Sequence, residues 1–176
     1  MSDARNRGLV IINTGDGKGK SSSAFGVMLR AAARGWSVIV IQFIKSEQWQ
    51  TGERKMADQL GVDWITGGDG FTWESDDLEA TEKFAQDTWE RAKVAISGGE
   101  YDLVILDEAT YPISFGWIPA TDVVDTIEGR PARVNVIVTG RDADPALIEI
   151  ADTVTDMHKV KHAFDEGIAA RKGLDF

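Results

Sequence analysis

The sequence predicts an α/β fold: a doubly wound, mostly parallel sheet of about six strands with helices on both faces. Three observations point to it. Short apolar runs alternate with helix-period segments along the whole chain. Several of those runs are continuous in Val, Ile and Leu, as strands covered on both faces of a parallel sheet are. The first run ends in a glycine- and lysine-rich turn, and a helical stripe follows at once.

The strand candidates are residues 8–13, 37–43, 62–66, 103–106, 134–138 and 153–155. Between the first two, Phe25, Met28, Leu29 and Ala32 recur at i, i+3, i+4 and i+7, one stripe of a helix. A longer helix over about 78–97 turns Leu78, Ala85, Trp89, Ala92 and Ile96 inward and is closed by Gly98-Gly99. A third, around 121–128, points Val123, Val124 and Ile127 at the sheet, and a fourth covers 145–151. Strand–helix alternation implies right-handed crossovers, which place ligands at the carboxyl ends of the strands. With no repeat, low-complexity tract or linker, residues 1–176 are expected to form one domain.

Composition narrows the chemistry. The absence of cysteine excludes a disulfide scaffold, a thiolate metal site and a thiol nucleophile. Two histidines, His158 and His162, are too few for a His-built metal centre without carboxylate help. A net charge of −10 argues against nucleic-acid binding, which needs a basic face, yet leaves room for a small anion held by local charges. No run approaches the ~18 apolar residues of a membrane span, and the polar opening is unlike a secretion signal, so a cytoplasmic setting is expected.

The first strand leads into Thr14-Gly15-Asp16-Gly17-Lys18-Gly19-Lys20-Ser21-Ser22. Strand, glycine-rich turn, Gly-Lys-Ser and helix together form a P-loop, with Thr14 in its first glycine position. Glycines let backbone N–H groups converge on phosphate, the helix N-terminus adds partial positive charge, Lys20 reaches the phosphates, and the Ser21 hydroxyl suits Mg²⁺. A plain Gly/Lys-rich connector would explain the composition but not the strand–helix context. The fold is therefore expected to be P-loop NTPase-like, of the RecA-like kind. A second apolar strand ends in Asp107-Glu108, two carboxylates placed to face the loop and to serve Mg²⁺ directly or through water. Downstream of the third strand, Gly70-Phe71-Thr72-Trp73 presents two rings on a glycine-rich loop. They either plug the sheet end or form an apolar wall against a large flat ligand.

In the order and spacing of these pieces the chain resembles the P-loop type of ATP:corrinoid adenosyltransferase. The resemblance runs through the phosphate loop, Gln42-Phe43-Ile44-Lys45, Gly52-Glu53-Arg54, Gly70-Phe71-Thr72-Trp73, Leu106-Asp107-Glu108 and Thr139-Gly140-Arg141. It continues through Ala151-Asp152-Thr153-Val154, Val160-Lys161-His162-Ala163-Phe164-Asp165 and Gly173-Leu174-Asp175-Phe176. It implies transfer of the 5′-adenosyl group of ATP to the Co(I) centre of a corrinoid, with release of triphosphate. Lys18, Lys20, the loop amides and Arg141 would then carry the positive charge. Ser21 and Glu108 would be Mg²⁺ ligands with Asp107 in support, and Phe71 and Trp73 would occupy the lower corrin face. A homodimer and a flavoprotein reductant are further implications. Gln42, Lys45, Arg54 and His162 fall in family-like stretches, where each is either a ligand contact or a local hydrogen-bonding or surface group.

Three departures from the family pattern carry consequences. Asp16 stands where Asn is frequent and must point outward to avoid repelling phosphate. Ser21-Ser22 replaces Thr-Thr but keeps the hydroxyl. Seven residues precede the first strand, fewer than in relatives whose N-terminal segment folds over the site. The competing readings are a kinase or NTPase using the same loop for phosphoryl transfer, and a nucleotide-gated corrinoid carrier.

Overall fold

The computed structural model describes residues 7–44, 51–67 and 78–175. Its strands are β1 (Val10–Thr14), β2 (Val38–Gln42), β3 (Asp63–Thr66), β4 (Leu103–Asp107), β5 (Asn135–Thr139) and β6 (Thr153–Asp156). They form one sheet in the order β3-β2-β4-β5-β1-β6, and every pairing is parallel. Each strand lies within two residues of its expected position. β5 begins one residue late because the Val134 N–H turns back to the Pro131 carbonyl.

The period-2 geometry of the strands divides the core. On β2, Val38 and Val40 pack on one face with Phe25, Met28 and Ala31, whereas Ile39 and Ile41 pack on the other with Trp89, Ala92 and Ile96. The first face is covered by α1 (Lys20–Ala32) and α2 (Gly52–Leu60). The second is covered by α3 (Leu78–Gly98), α5 (Ala120–Glu128) and α6 (Pro145–Ile150), joined by the short α4 (Thr110–Ser114). Ile12, Ile41, Ile105 and Ile137 are almost wholly buried, each worth roughly 1.5–3 kcal/mol in area removed from water.

Two expected core positions are corrected. Leu29 is 44% exposed and Leu78 is 62% exposed. In α1 the buried edge runs through Ala24 and Ala31 instead, because small residues let the helix lie close to the sheet. Leu78 opens α3, before the helix reaches the core. Two helices had no sequence signal. In α2 only Ala57 is buried, and the helix is delimited by its ends: Thr51 accepts the Arg54 N–H, and Gly61 stops it at φ 68°. In α4, Pro112 sits in the first turn, where its missing N–H costs nothing. No helix among the described residues is long and apolar enough to cross a membrane.

Candidate functional site

The phosphate loop leaves β1 between β5 and β6, at the carboxyl edge of the sheet. Gly15 and Gly19 adopt φ 95° and 119°, conformations a side chain disfavours. The loop is also pressed against the chain that follows β6. A Cβ on Gly15 would lie 2.6 Å from the Met157 carbonyl oxygen, and one on Gly17 equally close to it. The Gly17 N–H donates to that same oxygen. Close backbone approach thus demands glycine at both positions, independently of any phosphate. Thr14 anchors the entry, its hydroxyl accepting the Ala143 N–H at 3.2 Å.

α1 starts with Gly19 as N-cap, no side-chain cap and no acid in its first turn. Its first N–H groups therefore meet no internal acceptor and point at whatever anion lies in the loop. Lys20 curls back, donating to the Gly15 carbonyl at 2.6 Å and the Gly17 carbonyl at 2.7 Å. Burial, followed by the nearby Arg141 cation, lowers its pKa, while Asp16, Glu108 and Asp156 pull it upward. Lys20, Arg141, Asp16 and Glu108 therefore share one electrostatic neighbourhood. Asp16 is three-quarters exposed and lies 3.8 Å from Arg141. Ser21 is half-buried in the first turn and Ser22 is exposed.

Lys18 points away from this cluster and pairs with Asp175. The Asp175 carboxylate also accepts the Arg171 N–H at 2.7 Å, and these partners, Lys18 foremost, hold its pKa below the ordinary aspartate value. Lys18, His162, Phe164, Ile168 and Leu174 line a cavity of about 570 Å³ between loop and tail. His162 caps the 3₁₀ turn Ala163–Glu166 by accepting the Phe164 N–H.

On the other side, β4 delivers Asp107 and Glu108. One strand, β5, separates β4 from β1. At two inter-strand spacings, about 10 Å, the acids stand a phosphate-and-cation distance from the loop. Asp107 is fully buried, its two oxygens accepting from Gln42 Nε2 and Thr139 Oγ1, each at 2.8 Å. Glu108 is half-buried and sits at φ 59°, one of two non-glycine residues with positive φ among those described. Its N–H donates to Thr139 Oγ1 at 3.0 Å.

The remaining sequence candidates separate clearly. Gln42 is buried and bonded to Asp107 and Trp64, so it braces the sheet end. Arg54 is engaged by Asp58 at 3.1 Å and by the Trp64 carbonyl. Lys45, Phe71 and Trp73 lie outside the described residues. Sequence reasoning missed Met157 beneath the loop, Asp175 on Lys18, and Thr139 as the link between the two acids. Thr139-Gly140-Arg141 and Leu174-Asp175 stood among the family-like stretches, but their partners lie 32 and 157 residues away, beyond any local pattern.

A glycine-rich loop with two cations, facing a carboxylate at the end of the strand next but one, can bind a nucleotide and stabilise a departing phosphate chain. Comparison with known proteins specifies the family. Residues 6–176 match the family model described as "ATP:corrinoid adenosyltransferase BtuR/CobO/CobP". The chain is 39% identical over 170 residues to the corrinoid adenosyltransferase of Escherichia coli K12, covering 97% of this chain and 86% of that protein. It is equally similar to the corrinoid adenosyltransferase CobA of Salmonella typhimurium, with the same coverage. To the corrinoid adenosyltransferase of Pseudomonas aeruginosa it is 42% identical over 174 residues, 97% of this chain and 84% of the relative. By these matches the chain belongs to the ATP:corrinoid adenosyltransferase family, and it is an enzyme of the alkyl-group transferase kind.

Proposed function

We propose that residues 1–176 act as one domain that transfers the 5′-adenosyl group of ATP to the Co(I) centre of a reduced corrinoid. The observation that carries this reading is the pairing of Lys20 and the open head of α1 with Glu108 across one strand, in a chain of this family. Co(I) supplies the electron pair for the new Co–C5′ bond, the C5′–O bond breaks, and its electrons leave with triphosphate as cobalt becomes formally Co(III). No general base is needed, because the nucleophile carries no proton. The protein's task is alignment and stabilisation of the leaving polyphosphate. The loop amides, Lys20 and Arg141 hold the triphosphate.

Mg²⁺ fits the donors present. Among the described residues no three His, Asp or Glu side chains gather into a cation cage. A cation that arrives with ATP needs only one or two protein oxygens, which Ser21 and Glu108 supply. Bound there, it would neutralise phosphate charge. Lys18, held by Asp175, serves the outer edge of the loop. Phe71 and Trp73 are assigned to the lower corrin face, where they exclude an axial ligand. A homodimer, a flavoprotein electron donor and a cytoplasmic setting complete the reading.

The test is incubation of the enzyme with Co(I) corrinoid and MgATP, followed by product identification. Triphosphate and a cobalt–carbon product are expected. ADP plus phosphate formed without corrinoid would establish a phosphoryl-transfer enzyme instead, and corrinoid binding without product would establish a carrier. For the aromatic loop, Trp73→Ala is expected to keep the ATP dissociation constant within twofold while losing adenosylation of Co(II) corrinoid under a weak reductant. Unchanged turnover would refute the role given to Trp73.

A further inference from the structure

A chain of hydrogen bonds crosses four adjacent strands, β3, β2, β4 and β5, towards their carboxyl edge. Trp64 Nε1 donates to Gln42 Oε1 at 3.2 Å, and Gln42 Nε2 donates to Asp107 Oδ2 at 2.8 Å. From the opposite side, Thr139 Oγ1 donates to Asp107 Oδ1 at 2.8 Å and accepts the Glu108 N–H at 3.0 Å. Gln42, Asp107 and Thr139 are all buried, the last two completely.

The polarity of this chain is set at its middle. An ionised carboxylate only accepts, so Asp107 forces the Gln42 amide to present its NH₂ inward and its oxygen to Trp64. It likewise forces the Thr139 hydroxyl to donate inward, which leaves an oxygen lone pair for the Glu108 N–H. That last bond falls on the residue that needs it. Glu108 holds a left-handed backbone, which is strained for a residue with a Cβ. The strain persists because the surroundings impose it. The turn it makes takes the chain from β4 towards α4 and leaves the Glu108 carboxylate within electrostatic reach of Lys20.

We propose that Thr139 is a positioning residue: its hydroxyl, oriented by Asp107 and Gln42, holds Glu108 in the strained turn that presents its carboxylate to the cation of the bound nucleotide. Asp107 then acts as the fixed pole of the brace, and Thr139 acts only through Glu108. This rests on the reading of Glu108 as the residue facing MgATP.

The test is calorimetric ATP binding, with and without saturating Mg²⁺, for wild type, Thr139→Ser, Thr139→Val, Gln42→Leu and Glu108→Gln. The readout is the gain in ATP affinity conferred by Mg²⁺. Thr139→Ser keeps the hydroxyl and is expected to keep the gain within twofold. Thr139→Val is expected to reduce it about five- to tenfold, the worth of one hydrogen bond, while metal-free affinity stays within twofold because the loop is untouched. Gln42→Leu loosens Asp107 from the other side and is expected to reduce the gain about two- to threefold. It also decides between the outcomes if Thr139→Val does not fold.

A full gain in Thr139→Val, or in Gln42→Leu when that variant alone is folded, overturns the brace. So does an equal loss with and without Mg²⁺, which marks general disruption. Glu108→Gln separates the two levels. If it keeps the full gain, the reading of Glu108 itself fails and the brace fails with it. If it loses the gain while Thr139→Val retains it, only the brace fails.

Discussion

Lys20→Ala is expected to raise the ATP dissociation constant by about 10- to 100-fold. A charge-assisted hydrogen bond is worth roughly 1.5–3 kcal/mol, and Lys20 is the ammonium bonded directly to the loop carbonyls. In the free protein those two bonds to Gly15 and Gly17 must be exchanged for phosphate contacts, which keeps the net effect near the lower half of the range. Arg141 continues to contribute positive charge nearby, so binding is weakened without being abolished. Titration calorimetry checks the prediction, and an unchanged dissociation constant would remove Lys20 from the nucleotide site. The pH dependence has a definite sign. Burial and Arg141 lower the Lys20 pKa in the free protein, whereas bound phosphate favours its charged form. ATP affinity is therefore full below the lowered lysine value and falls as pH rises through it, earlier than for an ordinary lysine. Lys20→Ala should lose that alkaline limb.

Gly15→Ala is expected to destabilise the protein by about 3 kcal/mol or more and to remove nucleotide binding. Two costs combine. A Cβ at φ 95° is strained by roughly 1–3 kcal/mol whatever the space. That Cβ would also fall 2.6 Å and 2.7 Å from the Met157 carbonyl oxygen and amide nitrogen, backbone atoms that cannot swing away as a side-chain tip could. Thermal unfolding should show a midpoint lowered by about 6–12 °C for a chain of this size. Gly26→Ala is the internal control. Gly26 lies within α1, and its added Cβ meets nothing within 4 Å. Removing backbone freedom from the unfolded chain should there raise stability by about 0.5–1 kcal/mol. Equal behaviour of the two variants would show that the loop does not bear on Met157 as described.

The fold was legible from β1, β2, β4 and β5, short apolar runs whose burial on both faces demands that composition locally, whereas the edge strands β3 and β6 are partly or wholly exposed. α1, α3 and α5 were legible from their inward periodicity, though Leu29 and Leu78 show that periodicity overstates burial at a helix edge and a helix end. α2 escaped because one buried alanine makes no stripe, and α4 because its proline reads as a break until its place in the first turn is known. At the site, the loop and Asp107-Glu108 were legible as contiguous motifs. Thr139, Met157 and Asp175 were not, since each acts through a partner brought near by chain reversal.

By itself, the sequence determined a glycine- and lysine-rich P-loop motif between a strand and a helix, an acid pair at another strand end, and membership of a family through the order of its motifs. Those are local properties, set by the steric freedom of glycine, by side-chain chemistry and by hydrophobic period. Tertiary structure alone decided that β5 lies between the two strands, so that Thr139 reaches Asp107 and Glu108 together. It also decided that Asp16 lies beside Arg141 and that Lys18 is held by Asp175. The physical reason is that strand order and crossover path are outcomes of packing the whole sheet. Residues distant in sequence become neighbours only when burying both faces selects one order of strands.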